Sequence, residues 1–283
     1  DSLVADEGGN SALLNRATQG LYPPGSTFKI LTAMEYMREN PSFDKYRYEC
    51  SGSDTFGGNV IRCYNGEHHG TVDLKSSLAH SCNGSFAHIG VGLNRKSYRK
   101  LCEAFGFNSS LGVKFVSSRS RFVLDEKSDT AEAAQTAIGQ GKTTITPLQN
   151  ALISATIAND GVMMTPYLVD HTESVDGHVV KKYEPQEKRT AISRKRANQV
   201  TRMMRSVVSD GTAAALRNLS YPVAGKTGTA EIDSEGTSHA WFVGFAPAAD
   251  PKIAVSVIVE GAGTGSQYAV PIAAKMLEEY LGN

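Results

Sequence analysis

Apolar residues recur at helical spacing in the first half of the chain. The first predicted helix covers residues 26–39, follows a Pro-Pro-Gly turn and is stopped by Asn40-Pro41. Residues 46–70 are rich in Gly, Tyr and polar residues and are expected to form strands and loops. Residues 73–105 are expected to be helical again, interrupted by turns that contain glycine. The apolar positions of the first helix are Phe28, Ile30, Leu31, Ala33, Met34 and Met37.

Later helices carry recognisable end signals. A helix is predicted to begin at Thr146-Pro147 and to end near Asn159, because threonine caps a helix, proline suits its first position and the following glutamine completes a capping box. Ser193 is in position to cap another helix that reaches about Ser209. A last helix is expected over residues 267–281.

The C-terminal third has a different pattern, with three apolar stretches of strand length. They cover residues 222–232, 240–246 and 253–259, and their links are short and polar, so the strands should be antiparallel. A further hairpin is predicted at Asp176-Gly177, a pair that tolerates the positive φ of a tight turn. The pattern predicts an α/β fold of the α+β type: an antiparallel sheet flanked by helices, an all-helical subdomain, and a cleft between them.

Composition narrows the function classes. The chain has 283 residues, and 29 Lys or Arg balance 29 Asp or Glu, so the formal net charge is zero. No basic stripe favours nucleic acid as a partner. No apolar run approaches the roughly 18 residues of a membrane helix, and no signal peptide opens the chain.

The four cysteines are Cys50, Cys63, Cys82 and Cys102. None belongs to a CxxC pair and no histidine has the HExxH spacing, so no zinc site or other metal is expected. The seven histidines are interpreted as surface or loop residues. Cys50 and Cys63 flank a Gly-rich stretch that suggests a hairpin, which leaves a disulfide and two free thiols as alternatives.

A first candidate for chemistry is Ser26-Thr27-Phe28-Lys29. Ser and Lys three apart on a helix lie on one face, and a neutral lysine can take the proton that makes serine a nucleophile. The S-x-x-K spacing also occurs at Ser42 and at Ser97. Only Ser26 follows a Pro-Pro-Gly turn at the start of an apolar helix, where free backbone N–H groups suit an oxyanion. The other two are interpreted as solvated surface.

Two further short motifs follow in the chain. Ser81-Cys82-Asn83 contains the only S-x-N spacing. Residues 226–229, Lys-Thr-Gly-Thr, fall in a predicted strand near a sheet edge, where Gly228 leaves room for a ligand to approach the backbone. The Gly-Lys-Thr triplets at residues 141–143 and 225–227 lack the first glycine of a P-loop, which argues against an ATPase.

In this order the three motifs resemble the set found in penicillin-binding proteins and class A β-lactamases. Over nearly its whole length the chain resembles the penicillin-binding transpeptidase family, and most of all its class B, monofunctional type. The segments around Tyr22-Pro23, Gly139-Gln140-Gly141 and Gly211-Thr212-Ala213 add to this resemblance. In this family the segment before the nucleophile helix usually adds one or two strands to the sheet. Here the 25 residues before Ser26 are polar and loop-like, so those strands are not expected.

The resemblance implies a serine D,D-transpeptidase that uses no cofactor. Ser26 would attack the penultimate D-Ala carbonyl of a peptidoglycan stem peptide, and an amine of a second stem would resolve the acyl-enzyme. Lys29 would be the base, which requires its usual pKa of about 10.4 to fall by roughly three, equivalent to about 4 kcal/mol. Burial and the charge of Lys226 would lower it. Ser81 would relay a proton to the leaving group, and Asn83 would hold Lys29 and the substrate amide.

The resemblance also implies the binding residues and partners. The backbone N–H groups of Ser26 and Thr229 would form the oxyanion hole. Lys226, Thr227 and Thr229 would bind the carboxylate of a D-Ala-D-Ala terminus or of a β-lactam antibiotic. Cys82, the central residue of the second motif, is expected to point away from the site. Other cell-wall synthesis proteins are further expected partners, and nucleic acid is not.

Two alternatives remain open within the same acyl-serine chemistry. A class D-like β-lactamase shares Ser-Thr-Phe-Lys, but usually has an apolar residue where Asn83 stands and an aromatic one where Thr229 stands. A β-lactam sensor domain would also be acylated at Ser26. We expect residues 1–283 to form one transpeptidase domain of a longer, membrane-anchored protein that works on the extracytoplasmic face of the bacterial cell membrane.

Overall fold

The computed structural model describes residues 11, 13–232 and 236–282. Residues 1–10 and 12 of the polar segment expected at the start of the chain lie outside this range. Its described part contains a short helix, α1 (Arg16–Gln19), which the side chain of Asn15 caps. Within the described ranges, no helix is both long enough and apolar enough to cross a bilayer.

Helices dominate the first half of the chain, as expected. A 3₁₀ turn (Gly25–Phe28) leads directly into α2 (Lys29–Glu39), so only the first turn of the predicted helix is tighter than an α-helix. The predicted helical region after residue 73 contains three helices separated by caps. These and the next two helices are α3 (Leu74–Ala79), α4 (Asn83–Gly92), α5 (Arg95–Ala104), α6 (Thr130–Ala137) and α7 (Pro147–Ala158).

Local capping explains why the later helices begin where predicted. The Thr146 hydroxyl accepts a hydrogen bond from the Gln149 N–H at 3.1 Å, and Pro147 occupies the first position of α7. Ser193 caps α8 (Arg194–Ser209) in the same way. The last helix, α9 (Val270–Leu281), begins three residues later than predicted, because a π turn (Gly265–Ala269) precedes it.

Small two-stranded pairings occupy the other strand regions. A hairpin joins β2 (Ser53–Phe56) to β3 (Asn59–Arg62). The flanking strands β1 (Tyr48–Cys50) and β4 (Gly70–Val72) pair with each other. The strands β5 (Val162–Met164) and β8 (Glu187–Thr190) also pair. The predicted Asp-Gly hairpin is confirmed, with Gly177 at φ 78° between β6 (His171–Glu173) and β7 (Val179–Lys182).

The main sheet of the described residues is antiparallel and has the strand order β11-β10-β9. Its strands are β9 (Ala224–Glu231), β10 (Ser238–Ala246) and β11 (Ile253–Val259), as predicted from the apolar stretches. Helix α7 packs on β11 and β10, and α8 packs on β9. One continuous apolar core runs from the helical part into the sheet part, and its largest fully buried side chain is that of Trp241. Because β9 is an edge strand, one of its edges is open to the helical part.

Candidate active site

The nucleophile candidate lies on the turn that faces the open edge of the sheet. Gly25 begins this turn at φ 53°, and a Cβ on it would lie 2.5 Å from the carbonyl oxygen of Thr229. The turn is anchored from behind, because the Gly25 N–H donates to the Gly139 carbonyl oxygen at 2.9 Å. Ser26 itself is half-buried, and its hydroxyl has no hydrogen-bond partner among the described residues. The Ser26 oxygen is therefore held on a rigid turn but remains available.

Lys29 lies one turn after Ser26, at the start of α2, and its side chain is fully buried. Its ammonium group donates to the Ser81 carbonyl oxygen at 2.7 Å, to the Ser81 hydroxyl at 3.2 Å and to the Asn83 side-chain oxygen at 2.5 Å. The Asn83 amide nitrogen in turn donates to the Arg62 carbonyl oxygen at 2.7 Å, which fixes the direction of the Asn83 side chain. The first two sequence motifs thus meet at the amino group of Lys29.

Ser81 lies between α3 and α4 in an unusual backbone conformation, with φ at 58°. Positive φ is uncommon for residues other than glycine and costs of order 1 kcal/mol or more, so it persists where the surroundings impose it. Here the conformation turns the Ser81 carbonyl and hydroxyl toward the same amino group. Lys226 also donates to the Ser81 hydroxyl, at 2.9 Å, and to the Thr227 carbonyl oxygen at 2.9 Å. One hydroxyl therefore bridges two buried lysines.

Burial sets the electrostatics of this lysine pair. It lowers the pKa of Lys29 to about 8, against an opposing effect of the Cys82 and Cys63 thiols. Burial, reinforced by the charge of Lys29, lowers the pKa of Lys226 well below its usual value. The sequence argument gave the charge of Lys226 a share in lowering the pKa of Lys29, whereas burial is the main cause of that lowering in the structure. Two ammonium groups joined through one hydroxyl lose their protons in separate steps.

The third motif lies on β9, the edge strand. In a strand, the C=O and N–H of one residue point to the same side, and every second residue repeats this direction. The Thr227 carbonyl accepts from Lys226 and the Thr229 carbonyl lies against the nucleophile turn, so both residues point their backbone groups to the open edge. The Thr229 N–H therefore faces the turn that carries Ser26. This direction agrees with the oxyanion-hole assignment carried over from the family.

Two residues of the third motif differ from the sequence-based interpretation. Gly228 was expected to leave space for a ligand, but a Cβ there would lie 3.0 Å from both Thr27 Cγ2 and Trp241 Cβ. The glycine instead allows the nucleophile turn to pack on the strand. Thr227 was expected to offer its hydroxyl to a carboxylate, yet it is buried and that hydroxyl lies 2.5 Å from the Thr212 hydroxyl. Thr229, which is half-buried, remains the more accessible of the two threonines.

Sequence reasoning missed residues that support the site from behind. The buried Asn150, on α7, donates to the Thr27 hydroxyl at 3.3 Å, and that hydroxyl donates to the Pro24 carbonyl at 2.8 Å. Asn150 could have been noticed as an amide among the apolar residues of a predicted helix. Thr212 and Gly139 belong to segments that contributed to the family resemblance, but no role was assigned to them.

The cysteines give the largest departure from expectation. The described chain contains no disulfide at Cys50 and Cys63, whose sulfur atoms are 3.6 Å apart, and all four cysteines are free and buried. The argument from spacing against a metal site fails, because the fold brings ligand atoms of Cys50, Cys63, His69 and Cys82 within 4.8 Å of one another. His69 was interpreted as a surface or loop residue, but only 9% of its side chain is exposed. Cys82 points away from the lysines, as predicted, and its sulfur accepts from the Ser85 N–H.

Comparisons with known proteins agree with this geometry. A family model described as the penicillin binding protein transpeptidase domain matches residues 4–278. The peptidoglycan D,D-transpeptidase PbpA of Mycolicibacterium smegmatis is 34% identical over 286 residues, which cover 93% of this chain and 55% of that protein. The chain thus spans about half the length of the curated relatives of this kind that it matches.

Two solved structures are similar over nearly all of the chain. The D,D-transpeptidase domain of a peptidoglycan glycosyltransferase from Eggerthella lenta superposes with a TM-score of 0.91 at 29% identity, covering 99% of this chain and 72% of that one. Penicillin-binding protein A from M. tuberculosis, in a ceftriaxone acyl-enzyme complex, superposes with a TM-score of 0.88 at 31% identity, covering 96% and 64%. With the sequence match over residues 4–278 and the three motifs joined at one site, the chain belongs to the penicillin-binding protein transpeptidase family.

Proposed function

We propose that this chain catalyses peptidoglycan D,D-transpeptidation through an acyl-enzyme on Ser26 and that β-lactams acylate the same residue. The observation that carries the proposal is the convergence of Lys29 and Lys226 on the Ser81 hydroxyl, one helical turn from the available hydroxyl of Ser26. The names of the relatives, which include peptidoglycan D,D-transpeptidases, and a relative trapped as a β-lactam acyl-enzyme support it.

In the first half of the reaction, neutral Lys29 removes the proton from the Ser26 hydroxyl as its oxygen attacks the carbonyl of the penultimate D-Ala. The backbone N–H groups of Ser26 and Thr229 stabilise the oxyanion, and one such donor is typically worth about 2.7–4 kcal/mol. The C–N bond then breaks. Ser81 passes a proton to the leaving nitrogen of D-Ala and recovers one from the lysine pair. The acyl group remains on Ser26 as an ester.

In the second half, the amine of another stem peptide attacks this ester, its excess proton passes to the lysine pair, and the C–O bond to Ser26 breaks. The lysine pair returns that proton to the departing Ser26 oxygen, so the products are a new peptide bond between two stems and a regenerated hydroxyl. Asn83 holds Lys29 and the substrate amide, and Thr229 and Lys226 bind the terminal carboxylate in this proposal, with the Thr227 hydroxyl held beside them by Thr212. A β-lactam follows the first half only, because its leaving nitrogen stays tethered to the acyl group.

We also propose the setting in which this chemistry occurs. Residues 1–283 would be the transpeptidase domain of a longer, membrane-anchored protein, facing the extracytoplasmic side of the bacterial membrane. Stem peptides ending in D-Ala-D-Ala are the proposed substrates, and other cell-wall synthesis proteins are proposed partners. The likeness to a chain from a peptidoglycan synthase complex that coordinates polymerization and crosslinking supports such an assembly.

The test is the fate of a penicillin adduct on the purified chain. A fluorescent penicillin should give one adduct per chain, which intact mass shows to persist, and prior treatment with unlabelled penicillin should block it. Incubation with an amine acceptor and a stem-peptide donor should then yield cross-linked product and free D-Ala. Rapid loss of the adduct with accumulation of hydrolysed penicillin would instead indicate a β-lactamase. A persistent adduct without any turnover of the stem peptide would indicate a sensor.

The acylation rate should depend on pH through the protonation state of Lys29, the proposed base. Because Lys29 must be neutral to accept a proton, and burial lowers its pKa to about 8, the acylation rate should rise with pH and level off above that value. Between pH 7 and pH 9 the second-order rate constant should increase about tenfold. Stopped-flow or gel-based labelling over this range measures it.

A matched variant separates this titration from other effects of pH. Lys29→Arg keeps a positive charge, and an arginine side chain stays protonated in proteins. The residual labelling of this variant should therefore be slow and should lack the rise near pH 8. A wild-type profile that stays flat between pH 6 and pH 9 would show that Lys29 is not the base.

A further inference from the structure

Three thiols and one imidazole converge beside the active site from four separate segments. Cys50 ends β1, Cys63 directly follows β3, His69 directly precedes β4, and Cys82 caps α4. The antiparallel pairing of β1 with β4 places Cys50 opposite Gly70, which brings His69 alongside. The cysteines are at most 4% exposed. The sequence spacing matches no short motif, because the tertiary fold brings these segments together.

The distances within the cluster are those of ligands around a common centre. The sulfur atoms of Cys50 and Cys63 are 3.6 Å apart, and those of Cys63 and Cys82 are 3.8 Å apart. His69 Nδ1 lies 3.3 Å from the Cys50 sulfur. Tetrahedral zinc with Zn–S bonds of about 2.3 Å places its sulfur ligands about 3.8 Å apart. A disulfide would require about 2.05 Å.

The surroundings of His69 add an independent observation. Its Nε2 atom is buried and forms no hydrogen bond with the described residues, but the Glu67 carboxylate lies 3.6 Å away. A histidine that binds a metal through one ring nitrogen commonly directs the other N–H at a carboxylate. With Nδ1 turned to the sulfurs and Nε2 turned to Glu67, the ring has the orientation of a ligand.

We propose that Cys50, Cys63, His69 and Cys82 bind one Zn²⁺ ion in a closed tetrahedral site. Three thiolates and one imidazole suit zinc, and four protein ligands leave no open position, which is the arrangement of structural rather than catalytic zinc. Harder ions such as Mg²⁺ and Ca²⁺ prefer oxygen ligands and do not fit this set.

The position of the site gives the metal a positioning role. Cys82 is the central residue of the second motif, between Ser81 and Asn83, both of which contact Lys29. Arg62, whose carbonyl orients the Asn83 side chain, directly precedes Cys63. Two of the four ligands are therefore covalent neighbours of residues that set the geometry around Lys29. A zinc ion that links them would keep Ser81 in its positive-φ conformation.

The first measurement is the metal content of the wild-type chain, purified under reducing conditions without chelator. Elemental analysis by mass spectrometry should find about one zinc per chain. Replacement by Co²⁺ should give the intense visible bands of a tetrahedral thiolate-bound ion. A zinc-free chain that also fails to take up Co²⁺ would overturn the proposal, as would an intact mass 2 Da low that marks a disulfide (two hydrogens lost).

Variants test which residues hold the ion. Cys50→Ser and His69→Ala should lower the zinc content to below about a tenth of the wild-type value, and Cys50→His should restore part of it, since histidine is also a zinc ligand. Cys102→Ser and His68→Ala are matched controls, because Cys102 is a buried free thiol outside the cluster and His68 is an exposed neighbour. Equal loss of zinc from controls and ligand variants would contradict the assignment.

The positioning role has its own readout and rests on the proposed function. If zinc holds the second motif in place, the ligand variants should be acylated at Ser26 about 10- to 100-fold more slowly, whereas the controls should match the wild type. Zinc-depleted variants that are acylated at the wild-type rate would refute this role. The zinc content is measured without any β-lactam, so it tests the zinc site independently of the transpeptidase proposal.

Discussion

Ser26→Ala should abolish covalent labelling by a fluorescent penicillin, with a loss of at least about 10³-fold in the acylation rate. The variant lacks the oxygen that forms the ester, while the anchoring of the turn through the backbone of Gly25 and Gly139 does not depend on the side chain of Ser26. Its melting temperature should therefore stay close to that of the wild type. Gel fluorescence and intact mass, measured after equal exposure to the drug, show the difference.

The chain provides a matched control for this variant. Ser42 has the same spacing to a lysine, but the structure places it in an exposed position just before the 3₁₀ turn Phe43–Lys45, with Lys45 also exposed. Ser42→Ala should be labelled at the wild-type rate. Labelling that survives in Ser26→Ala and disappears in Ser42→Ala would show that the nucleophile had been assigned to the wrong motif.

Gly139→Ala should destabilise the protein and also disable the nucleophile turn. Gly139 has φ 79°, and a Cβ there would overlap the carbonyl group of Gly25, which is backbone and cannot move aside cheaply. We expect a loss of at least about 3 kcal/mol in the free energy of unfolding. That corresponds to a fall of at least about 5 °C in melting temperature for a chain of this size. Displacement of the turn should slow acylation about 10²-fold.

Gly141→Ala separates the clash from backbone strain. Gly141 has nearly the same φ, 81°, but a Cβ there would meet nothing nearer than the Gln135 side-chain oxygen at 3.5 Å. This variant should lose only about 1 kcal/mol, the cost of a left-handed conformation, and should be acylated normally. Equal effects of the two substitutions on melting temperature and acylation would mean that contact with Gly25 does not matter.

Local sequence signals predicted most of the fold, because they describe interactions within a few residues. Thr146 and Ser193 begin their helices as expected, since a cap and its N–H partner lie within one turn. The three C-terminal strands follow from their apolar runs and short links. The family resemblance named Ser26, Lys29, Ser81, Asn83 and Lys226 together, and the structure joins the last four of these through hydrogen bonds and holds Ser26 one turn from Lys29.

The features that escaped prediction depend on distant pairing. The register of β1 on β4 brings Cys50 beside His69, and no spacing along the chain encodes that register. The role of Gly228 depends on the approach of Thr27 and Trp241, from positions far apart in the sequence. Similarly, burial lowers the pKa of both lysines, and burial is a property of the assembled core rather than of the motif.

The bridging hydroxyl of Ser81 has a consequence for folding. It connects Lys29 and Lys226, which lie 52 and 145 positions away along the chain, so three remote segments must be in place before the site exists. Contacts of such long range carry a large loop-closure cost and form slowly. No partly folded fragment should therefore react quickly with penicillin. During refolding from denaturant, the appearance of labelling should follow the slowest structural phase. The labelled fraction would therefore measure the fraction of completely folded molecules.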